Sequence, residues 1–252
     1  MCIGIGYTLC ILLGIYFLIK KIRNTELYVI LGWVILFIIY QGLQTVQTMR
    51  YFIIIYPFLA IFAGIGFAYI PKRIPKIVPA ALLLITVIWT LFFFSIYTKP
   101  VTRITASEWI YKHIPTNSII LTESWDDGLP LPIFDMSNKN YIPKQLPVFD
   151  PDTAKKWHTM NLLLKEGNYL ILSSNRGYGS IPTVPERYPR MTKFYHDLFA
   201  GKTVYKEIKE FTSYPSLSYL GIPITIPDDG AEEAFTVYDH PKVIIFKNEQ
   251  TK

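Results

Sequence analysis

The stretch RYFIIIYPFLAIFAGIGFAYIPKRIPK, residues 50–76, decides how the chain is read. Between Tyr51 and Ile70 it is an uninterrupted apolar run, entered at Arg50 and left through Lys72, Arg73 and Lys76. A helix of about twenty such residues crosses the hydrocarbon core of a bilayer. Three similar runs flank it, so the spacing predicts spans at about 3–19, 27–46, 51–70 and 77–97. The first could be taken for a signal peptide, but Lys20, Lys21 and Arg23 follow the apolar run instead of preceding it, and no small-residue cleavage site comes after. It reads as a retained helix.

Composition agrees. The chain of 252 residues is 51% apolar and 15% aromatic, and its mean hydropathy of +0.27 is too high for an ordinary soluble protein. The net charge of +6 is confined to one half: seven of the 25 basic residues and only Glu26 among the acidic ones precede Tyr97, and the remaining 18 of each sign balance. Basicity is therefore a topology signal, and a nucleic-acid partner is excluded. Cys2 and Cys10 both fall in the first apolar run, where small buried hydrophobes are expected.

Two connections, 20–26 and 71–76, carry three basic residues each, whereas the loop between the second and third spans has only Arg50. The positive-inside rule puts the first two in the cytoplasm. Arg50 and everything after the fourth span then lie outside. A first helix that starts outside and is apolar from nearly its first position reads as the continuation of a longer chain. The alternative is a small protein that inserts amino terminus outward.

Residues 100–252 carry mixed signals. Helices are expected at 104–113, at 150–164 with Asp150 as cap and Pro151 first, and at 185–199. Strands are expected at 118–122, 169–173, 203–211, 235–238 and 242–246, and long loops at 128–149 and 213–230. The alternation implies a small α/β domain with a partly parallel sheet. The fold class is thus membrane α-helical, four transmembrane helices in 1–99, followed by a small extracytoplasmic α/β domain in 100–252.

Motifs of soluble enzymes are missing. There is no phosphate loop or nucleophile elbow, and His113, His158, His196 and His240 have no second ligand at metal spacing. No cofactor and no metal-ligand set is expected, and a divalent cation is left open. Glu123, Asp126 and Asp127 form the densest acidic cluster, which reads as a solvated turn with Asp127-Gly128 at its corner before it reads as a carboxylate pair that binds a cation or acts as an acid/base. Asp239-His240-Pro241 likewise reads as a turn. Arg50 differs in kind. It either snorkels into headgroups or pairs with the phosphate of a lipid-linked donor, with the Tyr51 hydroxyl beside it and Tyr56-Pro57 opening the helix backbone nearby.

The segment Arg50 to Ala60 followed by Gly64 resembles the arginine-tyrosine helix of polyprenyl-phosphate-dependent membrane glycosyltransferases of the type C fold, which include protein O-mannosyltransferases and aminoarabinose transferases. Ser107-Glu108-Trp109-Ile110, Ile119 to Glu123 and the closing Phe235 to Val243 resemble the extracytoplasmic tail of bacterial members. The resemblance implies a multi-pass cell-membrane enzyme moving a sugar from a polyprenyl-phosphate donor to an acceptor outside the cytoplasm, be it protein, lipid or glycan. It implies Arg50 and Tyr51 as contacts to the carrier phosphate. The family's catalytic acid stands in a first external loop, which has no counterpart here, so the chain is expected to be a carboxy-terminal portion, inactive alone. A different class remains open: a non-catalytic, membrane-anchored binding module of the cell envelope.

Overall fold

The computed structural model describes residues 4–44, 49–71, 73–134, 136, 139–231 and 233–251. Among the expectations above, Cys2, Ile3, Thr45, Val46 and Lys72 lie outside them. The chain divides into two compact units, a helical one of Met1–Ser95 with Ser216–Ile224, and a sheet unit of Ile96–Pro215 with Thr225–Lys252.

Among the described residues four helices are long and apolar enough to cross a membrane. Helix α1 (Ile5–Phe17) runs on through a wider π turn, Leu18–Ile22, and α2 spans Thr25–Gly42. A 3-10 segment, Met49–Ile55, leads into α3 (Tyr56–Ala68), and α4 spans Ile77–Phe94. These stretches are apolar on every side, so helix formation satisfies their backbone without help from water while Leu36, Ile39 and Leu84 stay exposed. The basic cluster does not end the first helix. Lys20 and Lys21 lie within the π turn, and the chain breaks at Arg23, whose φ of 48° is left-handed. Asn24 then caps α2, its Oδ1 accepting from the Leu27 N–H at 3.0 Å. Cys10 is a free, buried thiol, as its place in an apolar helix suggested.

Packing of α1 relies on glycine. A Cβ at Gly6 would meet the Leu82 carbonyl oxygen of α4 at 2.9 Å, and Gly14 faces α3 at still closer range. Small residues let helix backbones approach where no hydrophobic gain drives association. The end of α4 is closed by a distant piece of chain. Ser216 N–H donates to Ser95 Oγ at 2.8 Å, and Tyr219 Oη donates to the Leu91 carbonyl at 3.2 Å. Ser95 Oγ itself donates to the Phe92 carbonyl at 2.6 Å, one of the groups that a helix terminus leaves open.

The sheet unit has five strands: β1 (Ile119–Glu123), β2 (Ile142–Leu146), β3 (Tyr169–Leu172), β4 (Tyr205–Phe211) and β5 (Val243–Asn248). Their order is β2-β1-β3-β5-β4. The first three are parallel, and β5 runs antiparallel to both its neighbours, so the sheet is mixed. All four residues of β3 are buried, as a strand covered on both faces requires. Leu121, Leu170, Leu172, Ile244 and Phe246 face a layer built by α6 (Ala154–Glu166) and α8 (Pro189–Phe199), including Met160, Met191 and Tyr195. Ile120, Ile171, Val243 and Ile245 face the other way, onto Ala106, Ile110 and Ile114 at α5 (Thr102–His113). The result is a sheet between two helical layers.

Several expectations are corrected. Residues 142–146 are an edge strand inside the segment read as a long loop. Residues 235–238 are not a strand: Glu233–Thr236 is one helical turn. Helix α6 is capped by Thr153, whose hydroxyl accepts from the Lys156 N–H at 3.2 Å, not by Asp150. The side chain of Asp152 is committed elsewhere. Its Oδ1 accepts from the Trp157 indole at 2.8 Å, and its Oδ2 takes the first N–H groups of α8, those of Arg190 and Met191, at 2.8 and 3.0 Å.

Candidate functional site

Arg50 stands exposed in the 3-10 segment before α3, its guanidinium 5.3 Å from the Tyr51 ring centre. That is cation–π distance. Pro57 sits in the first turn of α3, where a missing N–H breaks no helical bond. The two residues singled out from sequence are therefore adjacent and accessible at the head of an apolar helix.

In the sheet unit, strand order 2-1-3 places a topological switch between β1 and β3, beyond whose carboxyl ends α/β sheets commonly bind ligands. Here the protein fills that crevice itself. Asp126 accepts from Arg103 Nη2 at 3.1 Å and from Ser174 Oγ at 2.5 Å, while Arg103 Nη1 donates to the Val237 carbonyl at 2.9 Å and reaches Asp127 at 3.1 Å. With its side chain only 2% exposed, Asp126 is a structural anchor, not the solvated turn the sequence suggested. Glu123 is buried beside it and accepts from the Tyr195 phenol at 2.5 Å. Burial raises its carboxyl to about 8, the charge of Asp126 adds to this, and the Tyr195 hydrogen bond opposes it. No substrate can reach it, because a Cβ on Gly177 would already stand 2.6 Å from its free oxygen. Glu123 is a buried acid held by packing.

The open space lies one step along the same end of the sheet. A cavity of about 300 Å³ is bounded by Asn175 and Tyr178 after β3, by Thr212, Ser213 and Tyr214 after β4, and by His240 and Lys242 before β5. Antiparallel pairing of Phe211 with Val243 brings the last two segments together. His240 Nε2 lies 2.7 Å from Asp228 Oδ2, which orients the ring. Lys242 bridges Glu210 at 3.0 Å and Asp229 at 3.2 Å. Burial alone would pull its ammonium down, and the two carboxylates outweigh that and hold it above lysine's usual range. Tyr214 donates to both oxygens of Asp229 at 2.8 Å, and burial together with that carboxylate pushes its phenol up to about 12. Serine, histidine and aspartate meet here, but Ser213 Oγ and His240 Nδ1 each lack a partner, so the nucleophile–base bond of a hydrolytic triad is not made. Among the described residues no cluster of His, Cys, Asp and Glu could hold a metal ion.

Sequence reasoning treated His240 as part of a turn. The turn is present, yet the ring is buried and paired with Asp228, twelve positions earlier on another segment. No local spacing signals that pairing. No family model, curated protein or solved structure matches the chain.

Proposed function

We propose that the chain is the carboxy-terminal part of an integral-membrane glycosyltransferase that moves a sugar from a polyprenyl-phosphate donor to an acceptor outside the cytoplasm. The observation that carries this is Arg50, exposed at the head of an apolar helix with its guanidinium over Tyr51. A planar fork of donors beside lipid suits a carrier phosphate, and Tyr51 adds a hydroxyl. In this reading the four helices span the membrane, the basic loops face the cytoplasm, and the sheet unit lies outside. The catalytic acid is supplied by a region preceding these residues.

The test is sugar transfer from polyprenyl-phosphate mannose and polyprenyl-phosphate glucose by the full-length protein in nanodiscs, with Arg50→Ala as the diagnostic variant. The second reading, a membrane-anchored binding module, is favoured by the cavity of the sheet unit, which could serve recognition without chemistry. Transfer activity decides between them.

A further inference from the structure

The cavity at the β3 and β4 ends of the sheet contains two polar atoms for which the rest of the protein has no use. Ser213 Oγ and His240 Nδ1 are buried without hydrogen-bond partners, in residues only 6% and 3% exposed. Each such atom costs about 1–3 kcal/mol unless something else meets it. The charged groups of the lining are hydrogen-bonded or ion-paired within the protein, with carboxylates in excess. Asp228 faces His240, and Lys242 lies between Glu210 and Asp229. Among the described residues the one ammonium of the lining is committed to two carboxylates, so a phosphate or carboxylate ligand finds no cation here. One side of the wall is apolar, formed by Ile244 and the rings of Tyr178 and Phe199, packed edge to face with centres 5.1 Å apart, and Asn175, Thr212 and Thr236 complete the lining. The space is at the small end of ligand cavities.

We infer that this cavity is a carbohydrate site that takes one uncharged pyranose residue. A pyranose has a C–H face to lie against Tyr178 and Phe199 and a rim of hydroxyls able both to donate and to accept. Its hydroxyls meet Ser213 Oγ, His240 Nδ1 and the spare lone pairs of Asp228 and Asp229, each of which accepts more than its present partners fill. As the acceptor site of the proposed transferase the inference rests on that reading; as a sugar site it stands alone.

The test is saturation-transfer NMR on the full chain in nanodiscs with methyl α-mannopyranoside, methyl β-glucopyranoside and maltotriose. Ring protons of at least one should receive saturation from the protein. Saturation confined to the terminal ring of maltotriose identifies the end of a glycan as the occupant, and saturation of the methyl glycosides alone identifies a free sugar. Ser213→Ala should weaken binding about tenfold and keep or raise the melting temperature of the empty protein, because the hydroxyl it removes bonds nothing in the protein. Phe199→Leu should weaken binding while keeping the cavity apolar on that side. The inference is overturned if no neutral glycoside is saturated, if inorganic phosphate displaces the glycoside, or if Ser213→Ala lowers the melting temperature and leaves binding intact. Sugar binding by this chain with no transfer by the full-length protein would remove the transferase reading and keep this site; transfer by the full-length protein without binding here would do the reverse.

Discussion

Gly14 and Gly66 stand so close that a Cβ on Gly14 would lie 1.8 Å from the Phe62 carbonyl oxygen, and one on Gly66 would lie 1.9 Å from that of Cys10. Helices α1 and α3 thus touch backbone to backbone. Neither obstacle is a side chain that can swing away. Gly14→Ala and Gly66→Ala should each destabilise the helical unit by about 1–3 kcal/mol, the usual cost of overpacking. Gly64, with nothing within 4 Å, is the control: Gly64→Ala should be neutral or stabilise by about 1 kcal/mol through helix propensity. Unfolding in increasing sodium dodecyl sulfate fractions separates these cases, and equal effects at positions 14 and 64 would refute the close crossing.

Glu123 makes stability depend on pH. Its folded carboxyl titrates at about 8 against a usual 4.5, because burial penalises the charge. The native state therefore keeps a proton that the unfolded chain releases between those values. Its favourable contribution is complete below pH 4.5 and disappears as pH rises through 8, a swing on the order of several kcal/mol at most. Melting temperatures of the wild type should fall across this window, and Glu123→Gln should flatten the slope. An unaltered slope would assign the titration elsewhere.

Asp152 has the opposite sign. Burial would raise its carboxyl, but the Met191 N–H, the Trp157 indole and the Lys156 ammonium outweigh that and hold it below the usual range. Its contribution is present at neutral pH and is lost as pH falls through its lowered folded value. Asp152→Ala also removes the carboxylate paired with Lys156, whose side chain is 1% exposed and keeps only the Val148 and Asp150 carbonyls, and should cost about 3–5 kcal/mol. Asp152→Asn, which keeps acceptors for the indole and the α8 N–H groups, should lose less. Chemical denaturation at pH 7 measures both.

Arg50→Ala in the full-length protein should lower transfer by about 2–4 kcal/mol of transition-state binding, and Arg50→Lys should recover part of it. If the side chain only snorkels into headgroups, both variants keep wild-type turnover at matched expression.

Orientation is checked with cysteines in a background lacking Cys2 and Cys10. Arg73→Cys should be shielded from an impermeant thiol reagent in intact cells, and Lys202→Cys should react. The reverse pattern would overturn the orientation and with it the transferase reading.

The helical unit is legible because its signal is local: an apolar run of sufficient length satisfies its backbone only as a helix. Tyr169 to Leu172 is legible for a similar reason, since a strand buried on both faces is apolar at every position. Ile142 to Leu146 is not, because an edge strand carries Pro143, Lys144 and Gln145 without penalty. Phe235 to Tyr238 misleads in the other direction. Its β-rich composition is overridden by a helical turn in which Val237 N–H bonds the Glu233 carbonyl at 2.9 Å. The cavity could not be read at all, since it exists only where antiparallel pairing sets Ser213 and Lys242 beside the β3 end. Arg50 and Tyr51 were legible as a pair because they are neighbours in the chain.

The closure of α4 by residues 216–224 has a topological consequence. The polypeptide enters the sheet unit after Ser95, leaves it after Pro215 and re-enters at Thr225. A protease that nicks the chain near Pro100 therefore does not liberate a free domain. Its carboxy-terminal product still contributes a piece of the helical unit, so the halves should co-migrate in native detergent and separate only in denaturant, as in fragment complementation. A recombinant piece beginning at residue 101 carries that piece without the α4 groups that Ser216 and Tyr219 bond. Replacing 216–224 by a short polar linker is the change that should turn such a piece into a well-behaved soluble protein.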